Sequence, residues 1–144
     1  MMPEHGDNDA DYREFIGLDV QSVRAHGITA FVDDFKLNKK YGGYGLCEKR
    51  GCRLWFDTDL ICCRVVVEFD QPNSHSFSKI THGSNRLAVR DIFGTPTAAG
   101  WRMVGQNWYI PELVDAYRNR EISVEVIYSM FNTMVKSICV EKVS

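Results

Sequence analysis

The chain has 144 residues and a net charge of −2, with 44% apolar and 25% charged residues. These values fit one globular domain with one core and exclude disordered and fibrous classes. The small net charge gives no support to general nucleic-acid or anionic-membrane binding, and no apolar run approaches the roughly 20 residues of a membrane span.

The first dozen residues are acidic and polar, without the basic start and apolar stretch of a secretory signal. Residues 1–10 are expected to form a flexible acidic end, and residues 11–144 a single α+β domain. Cys47, Cys52, Cys62, Cys63 and Cys139 make an odd set. Without a signal, that reads as reduced thiols in the cytoplasm rather than a disulfide framework.

In chain order, Asp11 with Glu14 resembles a capping box opening a short helix through Phe15 and Ile16, broken at Gly17. Asp19 caps a second short helix carrying Val20 and Val23 and closed by Gly27. Lys36, Lys39 and Lys40 precede residues 41–45, a loop entering a strand near Leu46, and Arg50-Gly51 reads as a turn. Cys52 to Asp57 reads as a strand with Leu54 and Phe56 on one face, followed by a hairpin turn at Asp57-Thr58-Asp59. Next, Ile61, Cys63, Val65, Val67 and Phe69 alternate with Cys62, Arg64, Val66 and Glu68, the period of a strand. Residues 70–78 form a loop. Ser84 caps a helix through Leu87, Val89, Ile92 and Phe93, stopped by Gly94 and Pro96.

Residues 101–104 and 107–110 read as short strands. Residues 111–117 fit either extended chain or a helical turn opened by Pro111-Glu112. Ile122, Val124, Val126 and Tyr128 alternate as a strand, and a last strand contains Ile138 and Val140. The expected core is Val65, Val67, Phe69, Ile92, Val124, Val126 and Ile138, under short helices packed on antiparallel β-meander sheet.

The two halves look alike. Ser22 to Gly27 resembles Ala88 to Gly94, and Leu54-Trp55-Phe56 with Arg64 to Glu68 resembles Val126-Ile127-Tyr128 with Ser137 to Glu141. Residues 11–70 and 80–144 therefore read as two helix-plus-meander units. The alternative is a chance recurrence of a common pattern.

Residues 84–97 carry the pattern S-x-x-x-x-V-x-x-x-x-G-x-P-T, with Val89, Gly94, Pro96 and Thr97 at its fixed positions. This resembles a helix-to-turn segment of β-lactamase-inhibitor-protein-like and SmpA/OmlA-like domains, which implies a short helix pair against an antiparallel sheet. With residues 17–27 and the run Gly51-Cys52-Arg53-Leu54-Trp55-Phe56-Asp57, the wider chain resembles a family of small proteobacterial immunity proteins of the pyocin and colicin type. The lipidated N-terminal cysteine of the SmpA/OmlA proteins is missing, which favours a cytosolic binder over an envelope role.

Chemical motifs are sparse. The cysteines lack the paired spacing of zinc sites, and His26, His75 and His82 sit in no nucleophile motif. The glycine-rich residues 41–45 lack the Gly-Lys-Ser/Thr ending of a phosphate loop. No catalytic residue, metal or cofactor is expected. Lys36, Lys39, Lys40, Lys49, Arg50 and Arg53 with Tyr41 and Tyr44 could line a nucleic-acid strip, but a solvated basic edge is the simpler reading. Trp101, Trp108, Tyr109 and Tyr117 lie among Arg102, Glu112, Asp115 and Arg118, a mixture found at protein interfaces and equally in cores. Asp33, Asp34, Asp57, Asp59 and Asp70 fall at predicted loops or turns. They could meet a cationic active site on a partner or simply serve turn chemistry.

These features make Asp57, Asp59, Trp108, Tyr109 and Glu112 the expected partner-binding residues. The expected partner is a cognate protein toxin acting in the cytosol, a nuclease or a nucleotide-consuming enzyme, with no direct nucleic-acid or membrane contact. The alternatives are a regulatory or scaffold module for a non-toxin protein and, third, a hydrolase or nucleic-acid binder.

Overall fold

A computed structural model describes residues 9–25, 37–40, 43–46, 52–69, 76–104 and 110–143. It is an α+β fold built on one eight-stranded antiparallel sheet. The chain runs through β1 (Asp9–Ala10), a 3-10 turn (Tyr12–Phe15), α1 (Val20–Ala25), β2 (Leu37–Lys40), β3 (Gly43–Leu46), β4 (Cys52–Phe56) and β5 (Cys62–Glu68). It continues with β6 (Ser76–Phe77), α2 (Arg86–Phe93), β7 (Ala98–Val104), β8 (Ile110–Arg118), β9 (Ile122–Tyr128) and β10 (Val135–Lys142).

The helix ends follow their side chains. Asp19 Oδ1 accepts from the Ser22 backbone N–H at 2.7 Å, as the sequence leads one to expect. At Asp11 no capping box with Glu14 forms. Its Oδ1 accepts from the Arg13 backbone N–H (3.1 Å), while the Arg13 guanidinium clasps the same carboxylate at 2.8 and 2.7 Å. Asn85, not Ser84, caps α2, accepting from the Ala88 N–H at 2.9 Å. Ser84 Oγ is occupied one turn earlier, accepting from the Thr81 N–H. Gly94, at φ +86°, ends α2 as expected. Gly27 lies outside the described residues.

The sheet order is β2-β3-β4-β5-β10-β9-β8-β7. Two four-stranded meanders thus meet along their last strands. Residues 43–45, expected in a loop leading to a strand near Leu46, instead belong to that strand and pair with β2 and β4. Glycine weakens the strand pattern without preventing strand formation between two neighbours. Residues 111–117 belong to one nine-residue strand, β8, flanked on both sides by long antiparallel ladders. Pro111 sits at its start, where a missing N–H costs little.

The seam between the meanders is symmetric. Arg64 pairs with Glu141, Val66 with Cys139 and Glu68 with Ser137. A pseudo-twofold axis normal to the sheet therefore passes through the Val66–Cys139 pair. Further details repeat about it. Asp19 before α1 bridges to Ile61 before β5, and Asn85 before α2 bridges to Met134 before β10. The Leu18 carbonyl accepts from Cys62 N–H, and the Ser84 carbonyl from Val135 N–H. Gly17 and Gly83 both sit at positive φ, +92° and +96°, just ahead of these contacts. A bulge beside Phe56 at the start of β5 has its counterpart beside Tyr128 at the start of β10.

The β5 bulge changes which thiol is inside. Trp55 opposes Arg64 while Phe56 opposes Cys62, so Cys63 is the extra residue. The unbroken alternation read from the sequence would place Cys63 with Val65 and Val67. Instead Cys62 is buried beside them and Cys63 is partly exposed.

The core lies between the sheet and the helices. Val65, Val67, Phe69, Val124, Val126 and Ile138 are buried, joined by Tyr12, Phe15, Val23, Val89 and Phe77. Ile92, expected inside, is 43% exposed. Val89 and Phe93 face the sheet, and Arg86 and Arg90 reach Asp115 there. At about 100° per residue, Ile92 points roughly 110° from the centre of that inward arc. Val89→Ala is therefore expected to cost about 2 kcal/mol in chemical denaturation, while Ile92→Ala stays within about 0.5 kcal/mol of wild type.

One buried charge anchors α2. Asp115 on β8 has no solvent-accessible surface. It accepts from Arg86 (2.7 Å), Arg90 (2.7 and 2.9 Å) and the Tyr128 hydroxyl (3.0 Å). Burial pushes its carboxyl up, but the hydrogen bonds from Arg90, Arg86 and Tyr128 outweigh this and hold it well below the usual carboxylate range. Asp115 is thus a buried strut, not one of the interleaved surface charges its neighbours in sequence suggest.

Candidate binding surface

Period-two alternation that buries one set of strand residues presents the other set on the opposite sheet face. Both described helices pack on the core side, and no described element covers the far face. Between inward Cys52, Leu54 and Phe56, β4 turns Arg53 and Trp55 outward, and β5 adds Arg64, Val66 and Glu68. Val114 on β8 is nearly buried yet stands apart from the core cluster, consistent with packing among neighbours on this far face.

The face has two differently built parts. On the first meander, Trp55 lies between two guanidinium groups, Arg64 at 4.9 Å and Arg53 at 5.5 Å from the ring. Arg53 also approaches Glu68 at 4.0 Å. A shallow depression of about 460 Å³ opens beside the indole, lined by Trp55, Cys63, Arg64, Glu141 and Lys142. At the seam, burial pushes the Cys139 thiol up, against the opposing hydrogen bond and charge of Arg64. On the second meander, Arg102 donates to Glu125 at 2.9 Å and lies 3.6 Å from Glu112, which Lys136 approaches at 3.5 Å. This chain of alternating charge crosses from β7 to β10.

Three of the five expected partner-binding residues are described: Asp57 and Asp59 stand at the β4–β5 turn and Glu112 stands on β8. Asp57 Oδ1 accepts from the backbone N–H groups of Asp59 and Ile61 at 2.8 and 3.1 Å, so it holds its own turn. Asp59 is exposed at that turn. Glu112 lies on the uncovered face at the other end of the sheet, four strands away from β4, roughly 19 Å across the ladder. Trp108 and Tyr109 lie outside the described residues, as do Asp33, Asp34, Asp70, His26, His75 and Cys47. Tyr117 packs on Phe93 with ring centroids 5.4 Å apart and donates to the Gly94 carbonyl, a helix-holding role.

The residues that sequence reasoning passed over are Trp55, Arg64, Glu125 and Lys136. The signal for Trp55 was present: it alternates with Leu54 and Phe56. The signal for Lys136 was hidden by the β10 bulge.

Among the described residues, no group of three or more metal-ligating side chains comes together. Burial pushes the Cys52 and Cys62 thiols up to about 12, leaving them protonated and unreactive at neutral pH. His82 Nδ1 lies 2.6 Å from the Phe69 carbonyl, a structural partner, beside a 290 Å³ hollow lined by Ser129, Asn132 and Lys136. No described helix is long and apolar enough to cross a membrane.

No protein-family model matches the sequence, and no curated protein does. Solved structures of two proteins illustrate the shared fold. One is YjgB, a DUF4309 family protein of Bacillus subtilis, at 8% identity and TM-score 0.50, covering 87% of this chain and 78% of its own. The other is a cysteine-rich secretory protein of Staphylococcus aureus, at 10% identity and TM-score 0.55. That match covers 89% of this chain but 44% of the larger protein. At such identities the likeness concerns architecture alone.

Proposed function

We propose that this chain is a non-catalytic binding protein of the immunity type, acting in the cytoplasm, which captures a cognate protein toxin on its uncovered sheet face and blocks the toxin's active site or substrate access. The observation that carries the binding reading is the face itself: a broad sheet surface without a described covering layer, bearing a tryptophan flanked by two arginines. Tryptophan and arginine are the residue types that concentrate binding energy at protein interfaces. The toxin as partner rests on the sequence resemblance, and its type, a nuclease or nucleotide-consuming enzyme, on the expected cytosolic site of action. The neighbouring folds name no partner for this chain. A regulatory module for a non-toxin protein uses the same face and differs only in what it captures.

The test is co-purification with the polypeptide encoded beside it, followed by calorimetric titration. Trp55→Ala combined with Arg64→Glu is expected to weaken binding at least about 100-fold, or roughly 2.7 kcal/mol, with an unchanged circular dichroism spectrum. Asp59→Lys alone should change affinity by less than about threefold, the scale of a rim charge. Full affinity in the double variant, with loss in Asp59→Lys, would move the interface to the β4–β5 turn.

A further inference from the structure

The pseudo-twofold axis makes β2 and β7 counterparts, and they are the two outer edges of the sheet. Their sequences differ in kind. β2 reads Leu-Asn-Lys-Lys, and lysine on an edge strand discourages pairing with other chains. β7 reads Ala-Ala-Gly-Trp-Arg-Met-Val, with no lysine and no proline. It pairs with β8 along all seven residues without a register shift, so its outer side is a regular strand edge on which no described strand lies. Trp101 and Met103 are 61% and 56% exposed there, on the side shared with buried Leu113.

We infer that this edge pairs with β7 of a second copy of the chain, antiparallel about a twofold axis at Trp101, joining two sheets into one. The register follows from the strand. Keeping like faces together requires an axis through a residue, and Trp101 is the middle residue of Ala98–Val104. On the helix side the opposed pairs are Trp101 with Trp101 and Ala99 with Met103, all apolar. On the other side Arg102 meets Gly100, which leaves room for its side chain. The charge of each Arg102 is already matched by Glu125 and Glu112 within its own chain, so the two arginines near the axis do not repel strongly. Backbone hydrogen bonds supply the pairing and the apolar pairs supply its register. This inference concerns the sheet edge and stands whether or not the uncovered face binds a toxin.

The experiment is sedimentation equilibrium on the full chain between about 1 and 100 µM. A dimer is expected, and Trp101→Lys, which opposes two like charges at the axis, should weaken it at least about 30-fold while circular dichroism is unchanged. Oxidised Trp101→Cys should form a covalent dimer that neither wild type nor Met103→Cys forms under the same conditions. Monomeric wild type throughout that range would overturn the inference. A dimer that persists undiminished in Trp101→Lys and yields no Trp101→Cys cross-link would overturn it equally, placing the contact elsewhere. If Trp101→Lys fails to fold, the cross-link comparison decides alone.

Discussion

Asp115→Ala is expected to lower folding stability by about 3 kcal/mol, measured by urea unfolding at pH 7. Removing one member of a buried ion cluster costs about 3–5 kcal/mol because its partners lose their acceptor while remaining in place. Here the loss should fall at the lower end. The Arg86 and Arg90 side chains are partly exposed and can recover water, whereas the Tyr128 hydroxyl is shut in with the vacated site. Asp115→Asn keeps the volume and removes the charge, and should lie between.

The same cluster predicts a pH dependence. The folded Asp115 carboxyl titrates below its unfolded value of about 3.9. Its contribution is therefore present above pH ~4 and is lost as pH falls toward the folded value. Wild type should lose stability more steeply than Asp115→Asn from pH ~4 downward. Parallel acid slopes in the two proteins would mean that Asp115 is not ionised against the arginines.

Val67→Asp should abolish folding. Val67 has no exposed surface and lies between Cys52 on β4 and Ile138 on β10, in the middle of the sheet. A carboxylate there has no described cation to meet. Its burial costs several kcal/mol even after protonation, against a total stability of about 5–15 kcal/mol. The expected result is a far-ultraviolet spectrum without strand signal and no cooperative thermal transition. Val66→Asp, one residue along and facing the uncovered side, should fold. A cooperative Val67→Asp variant would contradict the phase of β5.

Much of this architecture was legible because local chemistry and tertiary contacts agree. Asp19, Gly17 and Gly94 act where their residue types say they should, and β9 follows plain alternation, as does β10 from Ser137 to Val140. The failures are where a distant contact decides. Residues 43–46 are a strand because β2 and β4 flank them, not because glycine favours extension. Asp115 is buried because α2 brings two arginines to it from more than twenty positions away in sequence. A single bulged residue exchanged Cys62 for Cys63 as the inward thiol.

For the candidate surface, residue type alone does not give placement. Asp57 and Asp59 were selected as turn carboxylates, and one of them is spent on the turn. Arg53 and Trp55 could be placed opposite Leu54 and Phe56 from the sequence. Which side of the sheet the helices leave open depends on packing that no local pattern records.

The central position of β10 also sets an order on synthesis. It is the last of the sheet's eight strands to be made, yet it lies between β5 and β9 and supplies the only described strand pairing between the meanders. At ~5–20 residues per second, the ribosome takes on the order of 3–13 s to travel from the end of β5 to the start of β10. Throughout that interval the valine-rich inner edge of β5 has no strand to receive it, and from the completion of β9 a second such edge waits beside it. A nascent chain of this design must be kept from its neighbours on the same messenger until its final strand slides into the gap, and that event closes the sheet from the centre rather than from either side.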